Sequence, residues 1–390
     1  MNVAFIGCGF VADFYMATIH HYKQLNLVKV YDKNKERLKQ FCDYYGVNPV
    51  KSVNEILKDD TIELIINLTN PKEHFKVTYS SLENNKHVYT EKPLSMNFKD
   101  AKYLYDFAKS KKLKISSAPS SVLNKVAKTV EIALKENKIG KVRLIYANFD
   151  AGMTHKMKPW NWRTPSGAFW PAQDEFDTGC TYEHAGYLLT WLYQFFGPAK
   201  AVTSFSKCLL KDKDIKTKLN TPDFSVGCIE YKNVVARVTL SIVAPLDRSM
   251  TIVGTEGILF VPDVRNDNSS VYIKKIPSSK LEAALEYRIN HYKSKFENVI
   301  NFFPWNWGNS WRFLKNYPLI KKTKEVSSGS YKPVDFCNGP AELVDSIEEK
   351  RDCILSPDMA LNITEIIEIL QYPEKFKNKK ELLSYSKVKV

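Results

Sequence analysis

The first third of the chain alternates short apolar runs with longer amphipathic stretches. Residues 3–6 are all apolar and predict a short buried strand, and the apolar spacing that opens at Val11 and Ala12 predicts a helix to about residue 22. Residues 27–31 predict a second strand. A polar-faced helix over 34–45 is closed by Gly46, a residue suited to a helix C-cap. A short strand around Val50 and a helix over 53–58 follow. Residues 62–68 are apolar except for Glu63 and Asn67, the pattern of a central parallel strand. Then come a helix over 72–84, a strand over 87–89, a helix over 98–110 and a strand over 113–116. This repeating order predicts a doubly wound parallel sheet with right-handed crossovers, in which ligands lie beyond the C-terminal strand ends.

After about residue 120 the pattern changes. A helix over 121–137 leads to a strand over 142–149, and 152–175 is irregular and rich in Trp and Pro. A strongly apolar helix over 181–196 is stopped by Gly197-Pro198; Leu188, Leu189, Leu192, Phe195 and Phe196 keep helical spacing, so most of it belongs to the core. Strand-like runs at 201–206, 224–231, 234–243, 250–253 and 258–261 predict an open, largely antiparallel or mixed sheet. A helix is expected over 280–303. An aromatic stretch over 302–317 is expected to cover the site or an interface, and two last helices cover 339–349 and 357–370. The organisation expected is an α/β dinucleotide-type domain (1–120), an α+β domain (121–373) and a mobile lysine-rich tail (374–390).

The strand–turn–helix at the start carries chemistry. Gly7-Cys8-Gly9-Phe10-Val11-Ala12 is a G-x-G-x-x-A turn between a strand and a helix. Gly7 permits the turn, Gly9 admits a pyrophosphate, and Ala12 lets helix and strand pack. The helix N-terminus offers N–H groups to phosphate. Asp32 ends the second strand 20 residues after Ala12, where an acid meets the adenosine ribose. Its charge repels a 2′-phosphate and so favours NAD over NADP, although Lys33, Lys35 and Arg37 nearby leave dual use open. Thr69, Asn70 and His74 after the third strand, and Glu91-Lys92-Pro93 after the fourth, fall on the same edge.

Lys92 precedes a proline and is held away from helix, so it can meet a substrate hydroxyl. Asp177-Thr178-Gly179-Cys180-Thr181-Tyr182-Glu183-His184 gathers polar groups at the head of an apolar helix. Cys180, Thr181 and His184 lie three and four apart on neighbouring faces. Asp177 precedes or caps that helix. His184 is a candidate proton acceptor. Trp162-Arg163 can hold a cofactor or a substrate carboxylate or phosphate, or can be a stacked surface pair.

Composition narrows the class. A chain of 390 residues, 44% hydrophobic, supports two or three domains with a large core. No run of 18 apolar residues spans a membrane. Without a signal-peptide pattern or a C-x-x-C among its seven cysteines, a cytoplasmic protein with free thiols and no metal is expected. The net charge of +14 is spread over solvated helix faces, which points away from nucleic acid and is favourable for anionic substrates such as nucleotide sugars.

These motifs together resemble the glucose-fructose oxidoreductase / inositol dehydrogenase / rhizopine-catabolism (Gfo/Idh/MocA) family over about residues 1–371. The resemblance rests on Gly7 to Ala12, Glu91-Lys92-Pro93, Trp162-Arg163, the segment from Asp177 to His184 with Trp191-Leu192, and the closing Val334-Asp335-Phe336, Gly339-Pro340-Ala341-Glu342-Leu343 and Pro357-Asp358-Met359-Ala360-Leu361. It implies a Rossmann domain, a second domain whose open sheet makes homodimer or homotetramer contacts, bound NAD(H) or NADP(H), and hydride transfer at a secondary alcohol of a sugar, cyclitol or nucleotide sugar. Lys92 and a histidine would then handle the proton. The chain departs from the family's Asp-x-x-x-His-x-x-Asp. Counting back from Trp191 puts His184 at the histidine, Cys180 at the first acid and Tyr187 at the second, whereas counting forward from Asp177 puts Thr181 at the histidine. The first register keeps a base, with Asp177 or Glu183 as the substitute acid. Other readings are a glycosidase or isomerase that recycles NAD in place, and a non-catalytic NAD-binding regulator.

Overall fold

A computed structural model describes residues 1–213, 220–285, 287–289, 291, 315–319, 334–376 and 380–385. The first third forms strands β1 (Asn2–Ile6), β2 (Asn26–Tyr31), β3 (Leu64–Asn67), β4 (His87–Thr90) and β5 (Ile115–Ser117). The helices between them are α1 (Ala12–Ile19), α2 (Lys35–Tyr45), α3 (Val53–Leu57), α4 (His74–Glu83) and α5 (Phe98–Ser110). The strands form one parallel sheet in the order β2-β1-β3-β4-β5. β3 is buried along its whole length, as expected of a strand covered on both faces. The chain leaves β1 for β2 on one side and reaches β3 on the other. The crevice at this reversal is where such sheets take ligands.

Gly7 makes that reversal tight. Its φ is +103°, and a Cβ there would lie 2.6 Å from the backbone carbon and oxygen of Leu68 beyond β3. Only a residue without a side chain lets the two strand ends approach so closely.

The rest of the chain builds a nine-stranded sheet from β6 (Val142–Asp150), β7 (Ala201–Lys207), β8 (Phe224–Glu230), β9 (Val235–Ser241), β10 (Met250–Gly254), β11 (Gly257–Val261), β12 (Val271–Lys275), β13 (Lys315–Tyr317) and β14 (Lys380–Glu381). Its order is β13-β12-β11-β10-β6-β9-β8-β7-β14. Only β6 and β9 pair in parallel. Burial alternates along β6 and β9. One face therefore packs inward while Tyr146, Phe205 and Val235 stay exposed on the strands.

Helices α6 (Lys125–Lys135), α7 (Ala172–Thr178), α8 (Cys180–Phe196), α9 (Asn338–Glu348) and α10 (Pro357–Gln371) accompany this sheet. α10 packs against α8, α5 and β7, so it ties the two sheets together. Val3, Phe5 and Tyr15 share one apolar cluster with Trp191, Val238 and Leu370. The polar-faced α2 ends as expected at Gly46, which is left-handed.

Several boundaries differ from the expectation. The helix expected over 121–137 is interrupted: Asn124 is extended, and its side chain caps α6 through the N–H of Ala127. Competition between an Asn side chain and helix backbone explains the break. The segment 152–175 is not wholly irregular, because α7 begins at Ala172. Gly179 then breaks the path with φ +91°, and a Cβ there would meet Gln371 Nε2 at 2.3 Å. β12, short and half polar, was not expected. The expected mobile tail is docked over residues 380–385: β14 pairs with β7, and Ser384 donates to Glu365. The helix expected over 280–303 is seen at its start, with the remainder outside the described residues. The aromatic stretch 302–317 lies outside them apart from 315–317.

Candidate active site

The glycine turn sets the inner end of a cleft between the sheets. Gly7 N–H donates to Tyr31 O at 2.8 Å, and Cys8 N–H donates to Asp32 Oδ2 at 2.8 Å. Asp32 Oδ1 accepts the N–H of Asn34 at 2.8 Å. The acid at the end of β2 is thus held beside the turn that ends β1. The Cys8 amide is spent on this bond and is not offered to a ligand. Gly9 is the opposite of Gly7: a Cβ there would meet no atom within 4 Å. The space above Gly9 is open and belongs to the cleft, as a phosphate-bearing cofactor requires. Phe10 and Val11 line the same space.

Arg37, weighed in the sequence as a possible contact for a 2′-phosphate, is already engaged. Its Nε donates to Cys8 O at 2.6 Å, Nη1 to Ser166 O at 2.7 Å, and Nη2 lies 3.4 Å from Asp13 Oδ2. Asp13 is buried and also accepts from Tyr45 and from Ser166. This Asp13–Arg37–Ser166 lock joins the turn to the segment after Arg163. Local sequence gave no sign of it, because its members are 24 and 129 residues apart.

Beyond β3, Thr69 Oγ1 donates to Asn67 Oδ1 at 2.7 Å, and Asn70 reaches Asp174 on α7. His74 is fully buried. Its Nδ1 lies 2.6 Å from Pro93 O and its Nε2 2.9 Å from Thr69 O. Burial lowers its pKa while the two carbonyls work against that shift. His74 therefore braces two ligand-facing turns. Glu91 is also occupied, accepting from Tyr15 Oη at 2.7 Å and from the Lys92 N–H at 3.1 Å.

Lys92 reaches across the cleft from the end of β4 to α8, where its Nζ forms an ion pair with Glu183 Oε2. Burial alone would pull Lys92 down, but Glu183, Glu175, Tyr187 and Glu91 hold its pKa above the ordinary lysine value. The amine is a cation and a proton donor. Glu175 on α7 lines the same lobe as Glu183, and burial together with that neighbouring carboxylate raises its pKa well above the usual range. The three side chains form a Lys–Glu–Glu cluster with a carboxylic acid at its far end. Glu175 escaped the sequence reading. Its only signal was the acid-rich Asp174-Glu175 just before the apolar helix.

His184 is not the partner of Lys92. Its ring stacks on Phe149 with centroids 5.0 Å apart, and its buried Nδ1 has no partner. Burial, then Lys92, Arg265 and Arg248, hold its pKa well below the ordinary value, so the ring is neutral. One turn on, Tyr187 also stacks on Phe149, with centroids 5.0 Å apart, and lines the cleft. Asp177 is not brought to the group at all. It lies near the end of α7 beside a separate depression with Thr221 and Pro222, and its backbone carbonyl accepts from Thr221 Oγ1. Neither expected acid substitute therefore orients His184: Asp177 is elsewhere, and Glu183 holds the lysine.

The inner lobe of the cleft, about 150 Å³, runs from Gly9 to Lys92 and Glu175. An outer lobe of about 790 Å³ adjoins it through Phe10, Phe14, Trp170, Arg265 and Phe336. Trp162 and Arg163 line the outer lobe, with Arg163 over the Phe169 ring at 4.0 Å. The predicted pair thus faces the cleft while its arginine is also stacked. Arg248 and Arg265 join them; neither stood out in the sequence. Among the described residues no three His, Cys, Asp or Glu groups are placed to hold a metal, and no helix is long and apolar enough to cross a membrane.

Residues 1–118 match a family model described as "Oxidoreductase family, NAD-binding Rossmann fold", and residues 127–260 match the "GFO/IDH/MocA C-terminal domain". Among curated proteins, the chain is similar to the uncharacterized oxidoreductase YhhX of Escherichia coli (24% identical, over 38% of this chain and 44% of that one). It is also similar to glucose-6-phosphate 3-dehydrogenase of Bacillus subtilis (24% identical, over 42% of this chain and 46% of that one). The chain thus spans less than half the length of these relatives. Among solved structures, the WlbA dehydrogenase of Bordetella pertussis, in complex with NADH and UDP-GlcNAcA, superposes with a TM-score of 0.67 at 13% identity, covering 98% of this chain and 97% of that one. At that identity the likeness is one of fold.

Proposed function

The chain belongs to the Gfo/Idh/MocA oxidoreductase family, and from that premise we propose that it is an NAD-dependent oxidoreductase acting at a secondary alcohol or ketone of a sugar, cyclitol or nucleotide sugar. The observation that carries the reading is the Lys92–Glu183–Glu175 cluster, which shares one cleft with the open backbone of Gly9. The named activities of the relatives support it.

Gly9 with the head of α1 would hold the pyrophosphate, and Asp32 the ribose hydroxyls. Thr69, Asn70, Glu91 and the Trp162–Arg163 pair would form the cofactor's remaining surroundings. Bound NAD would supply the hydride acceptor or, once reduced, the donor. Lys92 donates a hydrogen bond to the substrate oxygen. When a ketone is reduced, Lys92 passes its proton to that oxygen and is recharged from the carboxylic acid of Glu175 through Glu183. In alcohol oxidation the same steps run in reverse: Lys92 first gives a proton through Glu183 to the ionised Glu175, and the neutral amine then takes the hydroxyl proton of the substrate. His184 is neutral and stacked on Phe149 behind Tyr187, and takes no part in the proton transfer. Assembly as a homodimer or homotetramer through the exposed strand face around Tyr146, Phe205 and Val235 completes the proposal.

The test is a titration of the protein with NAD and NADP, followed by nicotinamide absorbance on a panel of sugars, keto-sugars and nucleotide sugars. Tighter NAD binding with turnover on at least one member is expected. Absence of nicotinamide binding overturns the reading.

A further inference from the structure

Among the described residues that line the outer lobe of the cleft, cations outnumber acids. Arg248 and Arg265 both line it, and the Nε–H of each is buried without a hydrogen-bond partner. Arg248 lies over the Phe149 ring at 5.3 Å and Arg265 over the Tyr187 ring at 5.2 Å. A ring face supports a guanidinium without cancelling its charge as a carboxylate would. Among the described residues that line the lobe, the one acid is Asp263. Its Oδ2 is 3.8 Å from Arg248 Nη1, and its Oδ1 is taken up by the backbone N–H of Arg265 at 2.9 Å. Burial and the neighbouring Arg265 charge push the Arg248 pKa down, as expected of two cations crowded together. Arg163 adds a third guanidinium at the rim.

The loop that presents Arg265 is pinned rather than loose. Asp263 N–H donates to Ser269 Oγ at 3.1 Å. Asp267 accepts from Asn124 Nδ2 at 2.9 Å and from Asp335 N–H at 3.1 Å. Buried unpaired N–H groups are unfavourable, and they persist where a ligand completes them. Among the described residues that line this lobe, three guanidiniums face one carboxylate, an excess of positive charge that suits an anionic group. The planar fork of arginine suits phosphoryl oxygens.

We propose that Arg248 and Arg265 form a phosphoryl-binding subsite, so that the substrate of this cleft is a phosphorylated sugar rather than a free one. This rests on the oxidoreductase reading above for what happens at the inner lobe, but the subsite can be measured without turnover. The phosphoryl group can be a monoester on the sugar or the diphosphate of a nucleotide sugar.

The protein is titrated with inorganic phosphate, a hexose monophosphate, a uridine diphosphate hexose and the free hexose, following Trp162 and Trp170 emission and heat. Phosphate and one phosphorylated sugar should bind, and the free hexose much more weakly. The tighter of the two sugars identifies the source of the phosphoryl group. Arg248→Gln and Arg265→Gln should each weaken phosphate binding about 10- to 100-fold, the span of a lost charge-assisted hydrogen bond. NAD affinity and melting temperature should stay as in the wild type. Arg248→Lys, which keeps the charge but not the fork, should lose less and covers the case in which a Gln variant folds poorly. Phosphate binding that is absent in the millimolar range, or equal in all variants, overturns the subsite. Turnover of neutral sugars without phosphate binding overturns the subsite alone. Phosphate binding without nicotinamide binding overturns the oxidoreductase reading alone.

Discussion

Lys92 is paired with Glu183, the residue just before the histidine to which motif spacing assigns the proton. Successive helix residues point about 100° apart, so that single step separates a residue facing the lysine from one stacked on Phe149. Loss of the ammonium in Lys92→Ala should lower turnover about 100- to 10,000-fold, the usual span for a positioned proton donor. NAD binding should survive. Glu183→Gln should lower turnover more than His184→Gln. Steady-state kinetics of the three variants check this ranking, and equal or greater loss in His184→Gln would return the proton to the histidine.

Glu183→Gln should also change the pH profile. In the wild type the acids around Lys92 raise its pKa, so ketone reduction, which needs the protonated amine, declines only at high pH. Without the Glu183 charge, burial pulls the amine down and the alkaline limb moves to lower pH. The measurement is kcat against pH for NADH-dependent reduction. An unmoved alkaline limb would exclude Lys92 as the titrating donor.

Glu175 makes a prediction about stability. Its folded pKa lies above the unfolded carboxylate value, so the native state binds this proton more tightly than the unfolded chain does. Stability is therefore greatest below the unfolded value and declines as pH rises towards the folded pKa. Glu175→Gln removes that decline. The variant should melt higher than the wild type at pH 8, with the gap closing towards pH 4.5, by thermal denaturation across that range (pH values set by the usual carboxylate range, roughly 4.3 when unfolded).

The two glycines of the first turn should respond in opposite ways. Gly7→Ala forces a Cβ onto the Leu68 backbone at φ +103° and should destabilise the fold by about 3 kcal/mol or more. Gly9→Ala meets open space and should melt close to the wild type, yet its methyl fills the room needed by the pyrophosphate and should weaken NAD binding. Melting curves and NAD titrations on both variants separate the two effects.

Asp32 should set the choice of dinucleotide. Its carboxylate is fixed by the Cys8 and Asn34 amides at the end of β2. Asp32→Ser removes the charge that repels a 2′-phosphate, and the NADP-to-NAD affinity ratio should rise about tenfold or more. Because Arg37 is held by Asp13 and Ser166, the variant should not become strictly NADP-specific.

The sequence alone determined the parts whose causes are local. Four-residue apolar runs, a glycine turn and amphipathic helices gave the parallel sheet. The end of each strand then put Gly9, Asp32, Asn70 and Lys92 on one edge, because in a βα repeat that edge follows from chain order. Tertiary structure decided what those residues touch. Glu175 joins Glu183 and Lys92 only because Gly179 redirects the chain between two helices that periodicity does not divide. Arg248 and Arg265 meet only because β10 and β11 pair as a hairpin and bring its two flanks together. Arg37 is withdrawn from the cofactor by Asp13 and Ser166, far away in the chain. Helical phase and strand pairing, accumulated over many residues, set such contacts. A one-residue difference in phase was enough to exchange His184 for Glu183 as the partner of Lys92.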